Sequence, residues 1–189
     1  MHLESVRDVG GFYVTLKVRR NVVLVWASLT VLSMLAAYFF IHFLDREYHG
    51  FVAGVVASTL EALGVRSEAE GNVVAYTVEE RWAAVRIGWE CSAALSIIVY
   101  TGLVSGLPGV KLKKRVLGLT LGYAAIFLGN LARIVLILYL NHLFPNLSYM
   151  LLHDLFGRPL SFLWMTAVSF AWFYHALIKA PEVKDSSAQ

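Results

Sequence analysis

Apolar residues gather along this chain in long runs separated by short polar stretches, and four of those runs have the length of a bilayer crossing. They cover residues 22–44, 91–107, 116–140 and 160–178, where a membrane helix takes about 17–25 mostly apolar residues. The second is at the short end of that range. The fourth follows Pro159, a residue favoured in the first turn of a helix. A fifth run, 51–65, is shorter and holds Glu61, so it predicts an interfacial or re-entrant helix in place of a crossing. Between Gly71 and Trp89 the period changes. Val74, Tyr76 and Val78 alternate with smaller or polar neighbours, Val85, Ile87 and Trp89 do the same, and Glu79, Glu80 and Arg81 divide the two sets. That pattern predicts a small β-hairpin, although its turn lacks Gly or Asn.

Charge sets the orientation. Positive residues concentrate on the cytoplasmic side of short loops. With four crossings and an inside N-terminus, ten lie inside: Arg7, Lys17, Arg19, Arg20, Lys111, Lys113, Lys114, Arg115, Lys179 and Lys184. Five lie outside (Arg46, Arg66, Arg81, Arg86 and Arg158), and Arg133 falls within a span. A crossing at 51–65 would instead translocate the Lys-Leu-Lys-Lys-Arg cluster at 111–115. Composition agrees with lipid, since 58% of residues are hydrophobic and 15% charged, against roughly 25% charged in soluble domains. The expected fold class is therefore an all-α integral membrane helical bundle of about four transmembrane helices, with an interfacial helix and a small extracytoplasmic β-hairpin. One membrane-embedded domain is expected over 1–180, followed by a polar, disordered tail over 181–189. The polar start over 1–21 reads as a cytoplasmic preface to a retained span, because the apolar run after it exceeds a signal h-region and no small-x-small cleavage site follows. Gly102 with Gly106, and Gly118 with Gly122, form small-x-x-x-small pairs that predict close helix packing.

A net charge of +3, well dispersed, gives no reason to expect nucleic-acid binding, and the single cysteine excludes an intrachain disulfide or a multi-cysteine zinc site. The chemistry must then come from a few residues. Cys91 opens the second span, where a helix N-terminus favours thiolate, against the charge of Glu90. Arg133 lies in the outer third of the third span; a mid-membrane arginine costs about 2.5–3.5 kcal/mol on insertion scales. Asn130, three residues earlier, shares its face and is placed to orient it. His153, with Asp154 beside it, lies in the outer loop before the fourth span. Each has a plainer reading: an inert buried thiol, a snorkelling arginine, an interfacial histidine. His42, His49 and His142 are also outside but carry no comparable setting, and His175 sits in an inner aromatic belt. A metal site from His142, His153 and Asp154 has no recognised ligand spacing; no metal or cofactor is expected. Cys91, Arg133 and His153 come from three separate segments, and a topology derived from unrelated charges brings them to one membrane face. A thiol, an imidazole and a fixed cation suffice for acyl transfer.

The order of motifs resembles the exosortase/archaeosortase family of membrane transpeptidases. Ser58-Thr59-Leu60-Glu61-Ala62-Leu63-Gly64 is similar to the family's helix ending in Leu-Gly, and Gly71-Asn72-Val73-Val74 to its strand start. Trp89-Glu90-Cys91-Ser92 stands at the nucleophile motif, Asn130-Leu131-Ala132-Arg133-Ile134 resembles Asn-x-x-Arg-Ile, and His153-Asp154-x-x-Gly157 resembles the closing His motif. The similarity covers roughly residues 57–174. The family often has Gly two residues after the cysteine, where this chain has Ala93, and four spans would make it a minimal version. The resemblance implies catalytic Cys91, Arg133 and His153, supported by Asn130, Asp154 and Ser92. It also implies secreted precursor proteins with a C-terminal tripartite sorting signal as substrates, and a membrane lipid as acceptor. Two other functions are consistent with the residues: a membrane cysteine protease releasing its product to water, and a non-catalytic assembly or lipid-binding protein using Arg133.

Overall fold

A computed structural model of the chain describes residues 4–107 and 110–178, with side chains from 23 to 176. The tail expected at 181–189 lies outside the described residues. Helix α1 (Glu4–Phe43) leads into α2 (Asp45–Ala62), then strands β1 (Ser67–Glu70), β2 (Val73–Val78) and β3 (Arg81–Arg86). Helix α3 (Ala94–Gly106), the long α4 (Leu112–Leu143) and a short turn α5 (Tyr149–Leu151) follow. A π-helical segment, Leu152–Gly157, then runs into α6 (Arg158–Phe173), which ends in a second π segment, Tyr174–Ile178.

Among the described residues two helices are long and apolar enough to cross a membrane: Val23–Phe43 within α1, and α4. Helix α2 is not among them; Glu61 and the polar start Asp45-Arg46-Glu47 dilute its apolar face. Helix α3 is shorter than the 17-residue run that suggested it. Its start is delayed to Ala94 because Cys91–Ala93 form a turn, and it ends at Leu107, which is extended (ψ 117). The residue before a proline is driven out of the helical region, and Pro108 follows. The fourth apolar run lies in α6 with Pro159 in its first turn, as expected, and the helical path leading into it begins ten residues before that proline, at Tyr149. Outward-facing side chains of these helices are apolar, with Phe39, Leu121, Leu128, Phe162, Leu163 and Phe170 all more than 60% exposed. Such a surface suits hydrocarbon, not water.

The sheet is three-stranded and antiparallel in the order β1-β2-β3. Strands β2 and β3 form a hairpin inside the region where alternation predicts one, with Val78 opposite Arg81. Its two turn residues, Glu79 and Glu80, both have positive φ (47 and 64). That is the conformation of a two-residue hairpin turn, which usually recruits Gly or Asn; two glutamates hold it here at some backbone cost. Strand β1 was not expected, because Ser-Glu-Ala-Glu is polar and lies almost wholly exposed. It is joined to β2 through Gly71 and Asn72, with Glu70 opposite Val73.

Val74 and Tyr76 on the buried face of β2 meet Val52, Val56 and Leu60 of α2, and Ile134 and Leu138 of α4 complete that core. The i, i+4, i+8 spacing in α2 is what lets one helix face cover the sheet. On the other side α3 lies against α1. A Cβ on Gly102 would stand 2.4 Å from Met34 Cγ, and one on Gly122 2.2 Å from the Tyr100 ring. Small residues here are the condition for helix contact, as the spacing predicts.

Candidate active site

Cys91 reaches its position from the sheet. The Ile87 N–H donates to the Asn72 carbonyl (2.7 Å), tying the chain after β3 to the turn between β1 and β2. The N–H groups of Cys91 and Ser92 then both donate to the Gly88 carbonyl at 2.9 Å. The cysteine thus lies in a tight turn just ahead of α3, and not on the helix itself as its place in the apolar run suggested. Ala93 closes the turn in the left-handed region (φ 65, ψ 0). This accounts for the glycine often found there in the family the motifs resemble: without a Cβ the left-handed region carries no penalty, whereas an L-residue is strained by roughly 1–2 kcal/mol. Ala93→Gly is accordingly expected to raise stability by about 1 kcal/mol, read as a higher unfolding midpoint in detergent, with the site geometry kept.

His153 sits in the π segment, 8% exposed. There the Arg158 N–H donates to the His153 carbonyl, five residues back. Pro159 supplies the reason for the wide turn. It has no N–H, and its ring would crowd the carbonyl four residues before it in a regular helix. Widening the turn relieves that conflict and re-aims the side chains just upstream, as π-bulges do. The His153 imidazole points back at the cysteine, with Nε2 3.3 Å from Cys91 Sγ. Its Nδ1 lies 2.9 Å from Asp154 Oδ1, so Nδ1 carries the hydrogen and Nε2 is left as the acceptor facing sulfur. That hydrogen bond, and then Arg158, hold the Asp154 carboxyl below its usual range, so it remains ionised at neutral pH. Arg158 contacts Asp154 Oδ1 at 3.2 Å and Glu90 Oε2 at 2.7 Å. The Glu90 charge that opposes a thiolate is therefore paired.

Arg133 is 3% exposed. It does not reach for headgroups, which removes snorkelling as its explanation. Its NH2 donates to the Cys91 carbonyl (3.2 Å) and its NH1 to the Gly157 carbonyl (3.3 Å), joining the cysteine turn to the histidine segment. Its Nε makes no hydrogen bond. Asn130, on the same helix face, does not bond Arg133 directly; its Nδ2 donates to the same Cys91 carbonyl at 2.6 Å. A Cβ on Gly157 would stand 2.7 Å from Ile137 Cδ1, so a side chain here would press on the end of that isoleucine. The three residues singled out by sequence, with Asn130 and Asp154, thus form one hydrogen-bonded cluster around the Cys91 turn.

Sequence reasoning missed three neighbours. Tyr149 stacks on His153 (ring centroids 5.6 Å apart) and shares with Cys91, Arg133 and His153 the lining of a small cavity. Burial, with Cys91 beside it, pushes the Tyr149 phenol well above its ordinary range, keeping it an O–H donor. Tyr48 and His49 of α2 contact Ser92 from the far side of the turn. His49 is only 2% exposed, so the reading of it as an ordinary outer histidine was wrong. Their only sequence signal was an i, i+4 pairing of Asp45 with His49. His142 is turned to the sheet, with Nδ1 2.5 Å from the Thr77 carbonyl. Among the described residues no three of His, Cys, Asp and Glu converge as metal ligands.

Apolar helices suited to a bilayer, carrying a thiol–imidazole–carboxylate cluster whose imidazole is buried, define a class of membrane protein with the means for thiol chemistry. The family model of transmembrane exosortases matches residues 9–174 of the chain. The chain belongs to that family, whose members are membrane proteins known for cysteine-dependent transpeptidase activity. Neither the curated proteins nor the solved structures include one that matches it significantly.

Proposed function

We propose that this protein is a membrane cysteine transpeptidase that cleaves the C-terminal sorting signals of secreted proteins. In this reading it crosses the membrane four times with both termini in the cytoplasm, and Cys91, Arg133 and His153 work at the outer face. The observation that carries it is the Cys91 Sγ to His153 Nε2 contact of 3.3 Å, with the imidazole oriented from behind by Asp154 at 2.9 Å. Nucleophile, base and orienting group in that order are the working parts of covalent acyl transfer.

The steps follow from those atoms. His153 Nε2 takes the thiol proton as sulfur attacks the carbonyl carbon of the scissile peptide. The C–N bond then breaks, and the imidazolium returns the proton to the departing amine, which leaves on the hydrophobic tail. An acyl thioester remains on Cys91. An acceptor nucleophile loses its proton to His153, attacks the thioester carbonyl, and the C–S bond breaks to regenerate the thiol. Arg133 is charged throughout, and with the α3 N-terminus beside the turn it stabilises the thiolate and the transient oxyanion. A lipid headgroup amine is the acceptor this placement favours, because both the tail helix and the lipid already lie in the bilayer.

Mass spectrometry of the C-terminus of the processed precursor tests the acceptor. Transfer predicts a product heavier than the free acid by the mass of a lipid or amine. A free carboxylate would make the protein a hydrolase of the same mechanism. Unprocessed precursor in the presence of the wild-type chain would favour the assembly-protein reading.

A further inference from the structure

Behind the Cys91 turn, on the side away from Arg133, lies a second hydrogen-bonded chain of polar groups. Asp45 and His49 occupy one face of α2, four residues apart, and His49 is 2% exposed. His49 Nδ1 lies 2.8 Å from the Asp45 carbonyl oxygen and 3.2 Å from its carboxylate Oδ1. A carbonyl oxygen only accepts, so Nδ1 bears the hydrogen, and in that tautomer Nε2 is the acceptor. Nε2 is 2.9 Å from the Ser92 hydroxyl, which donates to it. Ser92 is fully buried, so this Ser-His-Asp arrangement has no access to substrate and is not itself a nucleophilic site. The hydroxyl of Tyr48, one residue before His49, donates to the Ser92 carbonyl. The His49 ring is further fixed edge-on to Trp89, with centroids 5.9 Å apart.

Two successive carbonyls of the nucleophile turn are thus gripped from opposite sides. The Cys91 carbonyl accepts from Asn130 and Arg133 of α4, and the Ser92 carbonyl from Tyr48 of α2. The Ser92 side chain is pinned to His49 in the same place. We propose that His49, acting through Ser92, is a positioning residue: α2 holds the Cys91–Ser92 peptide so that Sγ faces His153. This rests on Cys91 being the nucleophile. It makes α2 part of the scaffold that aims the nucleophile.

The test combines Ser92→Ala, His49→Leu, their double variant and His49→Gln, the last keeping an acceptor oxygen near the Nε2 position. Processing of a co-expressed precursor gives kcat and KM, and the rate of Cys91 alkylation by iodoacetamide is read in the same preparations without substrate. Ser92→Ala and His49→Leu are each expected to lower kcat by about 10- to 100-fold with KM within about twofold, because misplacement affects the chemical step and not binding. The double variant is expected to be no worse than either single, since both remove one shared hydrogen bond. His49→Gln is expected to restore most of the loss, and alkylation to slow about tenfold in Ser92→Ala as sulfur leaves the reach of its base. Should His49→Leu fail to fold, Ser92→Ala removes a single oxygen and stands alone. Unchanged alkylation and kcat in Ser92→Ala would overturn the inference, as would losses that multiply in the double variant. Processing that survives Cys91→Ala would instead remove the transpeptidase reading and leave the alkylation result standing.

Discussion

In a cell carrying Cys91→Ala, the precursor stays full length. The rate is expected to fall by at least about 10⁴-fold, as when a nucleophile acting in a unit with its base is deleted. The fold should survive the change, which is what makes the experiment clean. The turn is held by its backbone: the Cys91 N–H donates to Gly88, and its carbonyl accepts from Asn130 and Arg133. None of those bonds uses sulfur. The sulfur's hydrogen-bond partner is His153 Nε2, so its loss removes chemistry and leaves the scaffold. Immunoblotting for uncleaved precursor beside normal levels of the variant enzyme checks both halves of the statement.

Arg133→Lys is the second large effect, and it separates a catalytic from a merely lipid-facing arginine. Lysine and arginine cost about the same to place in a membrane helix, so insertion should be unaffected. Geometry is not conserved. The guanidinium spans two carbonyls, Cys91 on one segment and Gly157 on another, at 3.2 and 3.3 Å. A single ammonium on a flexible stem lacks that rigid fork. The cysteine turn and the histidine segment then lose their common brace, and a misplacement of about 1 Å is enough to cost about 100-fold in rate. Processing is therefore expected to drop by at least that factor while enzyme level holds. Wild-type processing by Arg133→Lys would return the residue to a role in lipid or partner contact.

Much of this arrangement was legible in the sequence, and the parts that were not share physical reasons. The membrane character came from long apolar runs, and α4 came through because Leu112–Leu143 is continuous. Cys91, Arg133 and His153 stood out because each is chemically out of place in an apolar context, and motif order joined them. Helix ends were less legible. The α3 start depends on a left-handed Ala93, and the widened turn around His153 depends on how Pro159 is accommodated; neither follows from hydropathy. Strand β1 hid because Ser67–Glu70 has no apolar face. Tyr149 and His49 hid because their importance is purely tertiary: one stacks on His153, and the other reaches Ser92 across 43 residues of sequence.

The central claim is that an acyl group passes through the sulfur of Cys91. Its most direct measurement is the mass of the Cys91 peptide from enzyme quenched in acid during turnover of a precursor. The account predicts an adduct on Cys91 with the mass of the precursor peptide that ends at the scissile carbonyl, on the N-terminal side of the cut, discharged by neutral hydroxylamine as a thioester is. Ongoing cleavage with no hydroxylamine-sensitive adduct on Cys91, or an adduct carried by any other residue, would contradict it.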